Sequence, residues 1–275
     1  MHKTWLITGA SSGLGRQLTE RLLERGDRVV ATSRREGALD TLQVSYREHL
    51  TVLKLDLTDV PAIRSMVDYA FSSEGPIDIV VSNAGYGLLG AAEEVSDAQI
   101  DHQIATNLTG SIQLIRAALP NFRRQGGGRI LQVSSEGGQI AYPSFSLYHA
   151  TKWGIEGFIE SVAQEVSPFG IDFIIAEPGP TATGFAAGLA HGETMQAYAD
   201  TPAAAVQQAL RQGTFVVKGS AVRTVDAMIA AADSDNPPLR LALGSTAYKS
   251  IRSALAHRLQ ALETQRGLAF SADSD

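Results

Sequence analysis

The chain of 275 residues contains no cysteine. That excludes disulfides, thiolate metal sites and cysteine nucleophiles, and it accords with a reducing compartment. Basic residues are in deficit, 23 Lys+Arg against 29 Asp+Glu, which leaves a net charge of −6. Such a balance argues against nucleic acid or an anionic membrane surface as the main partner. No apolar run approaches the ~20 residues that a membrane helix needs. A secretory leader is not expected either, because Trp5-Leu6-Ile7-Thr8 is short and runs directly into glycines, so a cytoplasmic location is expected. The six histidines (positions 2, 49, 102, 149, 191 and 257) are scattered without a metal-ligand spacing such as HExxH, and no metal site is expected.

What the chain does have is the composition of a globular protein, 44% hydrophobic and 19% charged, with enough apolar residues for a sizeable core. Short apolar or β-branched runs alternate with segments of helical period. The runs are Trp5 to Thr8, Arg28 to Thr32, Thr51 to Leu55, Ile77 to Ser82, Arg129 to Ser134, Asp172 to Ala176 and Leu239 to Leu243. Leu14, Leu18 and Leu22 recur at helical spacing, and Gly26 stands where a helix would close. Continuous apolar strands separated by helices predict a parallel sheet covered on both faces. The fold class is therefore α/β, a doubly wound (Rossmann) sheet of about seven strands in a single domain over 1–275. The segment from 181 to 213 reads as a flexible loop followed by a helix, and 245–264 as a solvent-facing helix with Ile251, Leu255, Leu259 and Leu262 on one side. A frayed polar tail follows it.

Two patterns carry chemistry. Tyr148 and Lys152, four residues apart, fall on one face of a helix, where a cation beside a phenol can lower its pKa. The pair is a candidate proton relay, although Tyr and Lys also fall four apart on many solvated helices. Thr8-Gly9-Ala10-Ser11-Ser12-Gly13-Leu14-Gly15 follows the first strand and opens the first helix. Glycines there permit a tight turn and close approach to a pyrophosphate, and the helix N-terminus offers free N–H groups. No Gly-Lys-Ser/Thr follows, so a Walker phosphate loop fits poorly.

The glycine spacing Gly9, Gly13, Gly15 resembles the TGxxxGxG fingerprint of short-chain dehydrogenases/reductases, and Tyr148 with Lys152 matches that family's YxxxK. The resemblance extends along most of the chain. It implies an adenine contact at Asp56-Leu57, an NNAG-like turn at Asn83-Ala84-Gly85 with Ser82 in place of the first Asn, and a nicotinamide-holding segment at Pro178, Gly179, Thr181 and Thr183. It further implies a catalytic Ser at Ser135, thirteen residues before Tyr148, and a catalytic Asn at Asn107. Dimers or tetramers through the helices bearing Asn107 and Tyr148 are common in the family.

A residue at the end of the second strand chooses between NAD and NADP: an acid binds the ribose 2′-hydroxyl, whereas Arg accommodates a 2′-phosphate. Here Ser33 takes the place of the acid and Arg34 follows, so NADP(H) is predicted. The competing reading of Arg34 and Arg35 is that they are solvated loop charges.

The implied reaction is hydride transfer between nicotinamide and a carbonyl or secondary alcohol. Tyr148 would act as acid or base, Lys152 would lower its pKa and bond the nicotinamide ribose, Ser135 would hold the substrate oxygen and Asn107 would connect Lys152 to solvent through a water. Glu136 and His149 sit beside these positions but face other ways, and Trp153 reads as core or as an oligomer contact. Phe145, Tyr142, Phe185 and Leu189 are placed to line the substrate side. With Ala186, Ala187 and Met195 in the same loop, a medium or large apolar substrate is expected. Pro237 to Gly244 resembles the corresponding run of steroid- and retinoid-acting members. A nucleotide-sugar epimerase or dehydratase would share YxxxK but not the glycine spacing; a non-catalytic NADP-binding sensor would usually lack the Tyr or Lys.

Overall fold

A computed structural model describes residues 2–274. Seven strands form one sheet: β1 (Thr4–Ile7), β2 (Arg28–Ser33), β3 (Leu50–Lys54), β4 (Ile79–Ser82), β5 (Gly128–Val133), β6 (Ile171–Pro178) and β7 (Arg240–Leu243). Their order across the sheet is β3-β2-β1-β4-β5-β6-β7, and every neighbouring pair is parallel. The doubly wound sheet expected from the alternating runs is thus the observed one, its strand ends lying within two residues of the predicted bounds.

The helices are α1 (Gly13–Glu24), α2 (Asp40–Ser45), α3 (Val60–Ser73), α4 (Asp97–Ile104), α5 (Gly110–Gln125), α6 (Ser146–Val166), α7 (Pro202–Arg211), α8 (Ala221–Asp233), α9 (Ser245–Thr264) and α10 (Arg266–Phe270). Successive side chains of a strand point to opposite faces, which divides the core in two. Leu6, Val30, Val80 and Ile130 pack against α3, α5 and α6, together with Ile63, Leu114, Phe122 and Ile159. Trp5, Ile7, Val29, Val81 and Leu131 pack on the other face against Leu18 and Leu22 of α1 and Val225 and Met228 of α8. Gly26 closes α1 at φ +88°, a left-handed conformation that a Cβ would oppose. The Asp59 side chain starts α3 by accepting from the Ala62 N–H at 2.9 Å.

Strand order reverses between β1 and β4, so the loops leaving their carboxyl ends diverge and open a crevice. A π-helical turn, Ala105–Thr109, joins α4 to α5 beside that crevice and carries Asn107. The 181–213 segment contains the predicted helix as α7, but its loop is not free of strand. Thr181–Ala182 pairs with Gly219–Ser220, and Ala190–His191 pairs with Leu88–Leu89. The tail is not frayed either, since α10 forms just beyond α9. Along α9 the apolar stripe is buried only in the first turns: Ile251 is buried, whereas Leu255, Leu259 and Leu262 are exposed, and further along Arg258 donates to Gln139 O at 2.6 Å. Among the described residues no helix is long and apolar enough to cross a membrane, and no group of three or more acidic or histidine side chains is arranged to hold a metal ion.

Candidate active site

The glycine turn between β1 and α1 is built by side chains on both strands that flank the crevice. Thr8 Oγ1 accepts from the N–H groups of Asn83 (3.0 Å) and Ala84 (3.2 Å), tying the two loops together. Asn83 Nδ2 donates to the carbonyls of Thr8 (2.9 Å) and Gly9 (3.2 Å), so this side chain shapes the turn. Gly9 has φ +68°, and a Cβ there would lie 2.8 Å from Ala84 Cα. At Gly13, φ +57°, a Cβ would meet nothing nearer than Thr183 Cβ at 3.9 Å. The space is therefore open at Gly13, where α1 begins after Ser11 and Ser12 and continues into Leu14, whereas Gly15 is packed tightly, a Cβ there lying 2.4 Å from Asn83 Nδ2; the first N–H groups of a helix have no partner within it. The turn fits a pyrophosphate. At the end of β2, Ser33 Oγ is occupied within its own loop, donating to Arg35 O at 3.0 Å and accepting from Arg35 N at 3.1 Å. Arg34 is exposed beside it. The Asp56 carboxyl sits below its ordinary value, first because the Thr58 N–H donates to it, with smaller help from the Thr58 hydroxyl and the Arg34 and His102 charges. Leu57 is buried behind it.

Ser135, Tyr148 and Lys152 converge at the carboxyl end of β5. Ser135 ends that strand's extension and starts a short 3-10 turn, Glu136–Gly138, with its hydroxyl accepting from Gly137 N at 3.1 Å. The same hydroxyl lies near enough to the Tyr148 phenol to favour its ionised form. Lys152, one turn further along α6, lies over the Tyr148 ring at 5.6 Å from its centroid and donates from Nζ to Val133 O at 2.9 Å. Asn107 is buried, and its side chain brackets the backbone of Tyr86: Oδ1 accepts from Tyr86 N (3.1 Å) and Nδ2 donates to Tyr86 O (2.8 Å), with a longer contact from Nδ2 to Thr151 Oγ1 on α6 (3.5 Å). It anchors the loop after Gly85, and among the described residues it makes no direct hydrogen bond to Lys152. Pro178, Gly179, Thr181 and Thr183 leave β6 on the same side of the sheet, where Thr181 Oγ1 donates to Gly179 O at 2.8 Å.

The expected lowering of the phenol by Lys152 is corrected by the structure. Burial pushes Tyr148 up to about 12; the Ser135 hydroxyl opposes this, and the Glu136 and Glu156 carboxyls add to it. The ammonium meets the ring face and turns its hydrogen bond to Val133 O, so loss of solvation dominates at the phenol. The same burial lowers Lys152 to about 8, against a pull upward from Glu156.

Several buried groups that the sequence reading passed over fix these positions. His149 bonds Gly137 O through Nδ1 at 2.9 Å and accepts from Tyr142 N through Nε2 at 3.3 Å, which makes Nδ1 the protonated nitrogen. It clamps the 137–142 loop to α6. Glu156, four residues beyond Lys152, accepts from Ser134 Oγ and pairs with Arg240 at 2.6 Å. Arg240 also pairs with buried Glu177 at 2.5 Å. A Cβ at Gly138 would lie 1.8 Å from Glu156 Oε1, so the carboxylate occupies the place of a side chain there. The i+4 spacing from Lys152 was the one sequence signal for Glu156. Trp153 is neither core nor bare: it is 44% exposed, donates to Ile140 O at 3.2 Å and carries the Arg258 guanidinium 5.0 Å from its ring centre.

The wall beside Tyr148 is apolar. Leu89, Phe145 and Tyr148 form a cluster with Tyr142, Leu189, Val206 and Leu210, and the Phe185 ring lies 5.7 Å from that of Tyr148. All four aromatic and aliphatic residues expected from position alone are therefore beside the phenol. Gly87 permits this approach, since a Cβ there would meet Leu189 at 2.4 Å and Phe185 at 2.8 Å.

Comparison with known proteins agrees with this geometry. Residues 3–194 match the family model for short chain dehydrogenases. An oxidoreductase of Botryotinia fuckeliana, BOA17, is 34% identical over 250 residues, covering 90% of this chain and 91% of that protein. A short-chain dehydrogenase from Streptomyces avermitilis superposes with a TM-score of 0.91 at 34% identity, over 99% of this chain and 98% of its own. Two more distant structures share the fold: one from Burkholderia phymatum in complex with NAD (TM-score 0.81, 20% identity, 96% and 95% covered) and one from Burkholderia cenocepacia in complex with NADP (TM-score 0.75, 24% identity, 96% and 97% covered). A glycine turn at the sheet's point of reversal, with a serine, tyrosine and lysine gathered at its rim, thus stands on the scaffold these relatives use, and the chain belongs to the short-chain dehydrogenase family of oxidoreductases.

Proposed function

We propose that the chain is an NADP(H)-dependent oxidoreductase that moves a hydride between nicotinamide and a medium or large apolar carbonyl or secondary alcohol. The observation that carries this reading is the convergence of Ser135, Tyr148 and Lys152 at an apolar wall beside the glycine turn. The turn from Gly9 to Gly15, with Ala84, Gly85, Asp56 and Leu57, would hold the adenosine and pyrophosphate; Pro178, Gly179, Thr181 and Thr183 would hold the nicotinamide end. When bound, the nicotinamide supplies or accepts the hydride. Arg34 at the end of β2, exposed and preceded by Ser33 where an acid would select NAD, supports NADP over NAD.

The phenol's protonation favours one direction. With its pKa near 12, Tyr148 is protonated at neutral pH and can give its proton to the oxygen of a carbonyl under reduction. The Ser135 hydroxyl donates to the same oxygen as negative charge develops on it. Lys152 Nζ lies 5.6 Å from the centre of the ring, and its amine would turn from Val133 O to a ribose hydroxyl. In the reverse direction Tyr148 must first lose its proton, which a higher pH assists. Loss of NADPH absorbance on mixing with a panel of apolar aldehydes and ketones tests the reading. Turnover with NADPH, little with NADH, and none with either cofactor in Tyr148→Phe is the expected result; equal or better efficiency with NADH removes the cofactor assignment.

A further inference from the structure

Beneath the loop on the substrate side lies a buried carboxylate that the chemistry above does not use. Glu94 closes the short turn after Leu88–Leu89 and is 5% exposed. Its Oε2 accepts from Ala91 N (2.8 Å) and from Gln207 Nε2 (2.8 Å), and its Oε1 accepts from Met195 N (3.0 Å). Its backbone carbonyl accepts from Glu193 N at 2.8 Å. Gly192 fits only because it lacks a side chain, as a Cβ would lie 2.5 Å from Glu94 O. One residue thus receives the 192–195 end of the loop twice and helix α7 once.

The second layer leads back to the catalytic helix. Gln207 is buried, lies 3.4 Å from Ser144 Oγ and accepts from Arg211 at 3.0 Å. Ser144, four residues before Tyr148, holds φ +68° and donates to Ala203 O of α7 at 2.9 Å. Its carbonyl accepts from Gly90 N at 2.9 Å. The loop carrying Phe185 and Leu189, the α7 residues Val206 and Leu210, and the approach to Tyr148 are therefore fastened to one another through the Glu94 carboxylate.

We propose that Glu94 is a positioning residue for the carbonyl substrate: its carboxylate is the seat that locks the 185–195 loop and α7 in place as the apolar wall facing Tyr148. The charge matters as well as the shape. A buried carboxylate with no cation in direct contact is costly unless its lone pairs are filled by donors, and here all three side-chain partners are donors. Those donors, Met195 N–H first, keep the carboxyl below its ordinary value and hence ionised at neutral pH. Glutamine at this position has one acceptor oxygen and sets an amide NH2 against N–H groups, so Glu94→Gln keeps the volume and breaks the seat. Glu94 touches no reacting atom, and its loss falls on substrate binding rather than on the hydride step.

The proposal rests on the oxidoreductase reading for its kinetic arm only. Amide hydrogen exchange on the full-length protein, wild type against Glu94→Gln, reads the seat directly. The Met195 and Glu193 amides should exchange at least about tenfold faster in the variant, as loss of one charge-assisted hydrogen bond implies, with sheet amides unchanged. With an apolar carbonyl as substrate, KM should rise by about tenfold while NADPH affinity holds and kcat changes less. Gln207→Ala should move both readouts the same way by less, and it serves if Glu94→Gln fails to fold. Unchanged exchange at Met195, or a fall in kcat and NADPH affinity with KM unmoved, overturns the proposal. Lack of turnover by the wild type counts against the oxidoreductase reading, and the exchange result then decides the seat alone.

Discussion

At the scale of single residues, burial decides how the site titrates. Lys152 sits at about 8 because desolvation outweighs the Glu156 charge, so its ammonium is lost as pH rises through that value. Carbonyl reduction should hold from neutral pH to about 8 and decline above it, as the cation facing the ring disappears. A pH profile of kcat/KM measures this, and Lys152→Met should remove the limb together with most of the rate. Arg34→Ala should weaken NADPH by about tenfold or more, the loss of one charge-assisted phosphate contact, and leave NADH unaffected; direct titration of both cofactors checks it. The identities of Tyr148, Lys152 and Ser135 were legible because their spacing is local or fixed along one strand–helix unit. The phenol's direction of shift was not, because the cluster that buries it includes Leu89, Leu189, Val206 and Leu210, which only the folded chain brings near.

At the scale of elements, the glycine turn is held by close backbone approach. Gly9→Ala must adopt φ +68° with a side chain and push a Cβ to 2.8 Å from Ala84 Cα. A left-handed Ala alone costs about 1–2 kcal/mol, and the contact adds to it. Thermal unfolding should show that loss, and NADPH titration should show weaker binding, because β1 and β4 separate where the turn is pinned. The strands were readable from the sequence as continuous apolar runs, since a parallel sheet buried on both faces leaves little room for polar residues. The segment from 181 to 213 was legible as a loop followed by a helix, but the fastening of the loop was not. It is held by two short strand pairings and by Glu94, whose partners Met195 and Gln207 lie 101 and 113 residues away in sequence, and no local pattern announces such pairings. The π-helical turn at Asn107 was equally silent, because α4 and α5 continue the same helical pattern on either side of it.

At the scale of the whole molecule, Arg240 joins the C-terminal strand to α6. Its guanidinium is the shared partner of Glu156 and Glu177, both nearly inaccessible, and burial raises both carboxyls above their ordinary values. Arg240→Ala leaves two buried carboxylates without their direct ion-pair partner and should destabilise the fold by about 3–5 kcal/mol at neutral pH. A carboxyl with a raised folded pKa destabilises once pH exceeds its unfolded value, so the deficit should shrink on acidification and grow as pH rises through the carboxylate range. Denaturant unfolding of the variant across pH measures both magnitude and sign. The two-sided core, the crevice at the strand reversal and this ionic tie all serve to hold Ser135, Tyr148 and Lys152 beside an open glycine turn. The most direct test is NADPH consumption with an apolar carbonyl by wild type and by Tyr148→Phe, with NADPH binding measured in both. Turnover by the wild type, its near-complete loss in the variant and unchanged binding are predicted; substantial turnover by Tyr148→Phe would contradict the assignment of the proton donor.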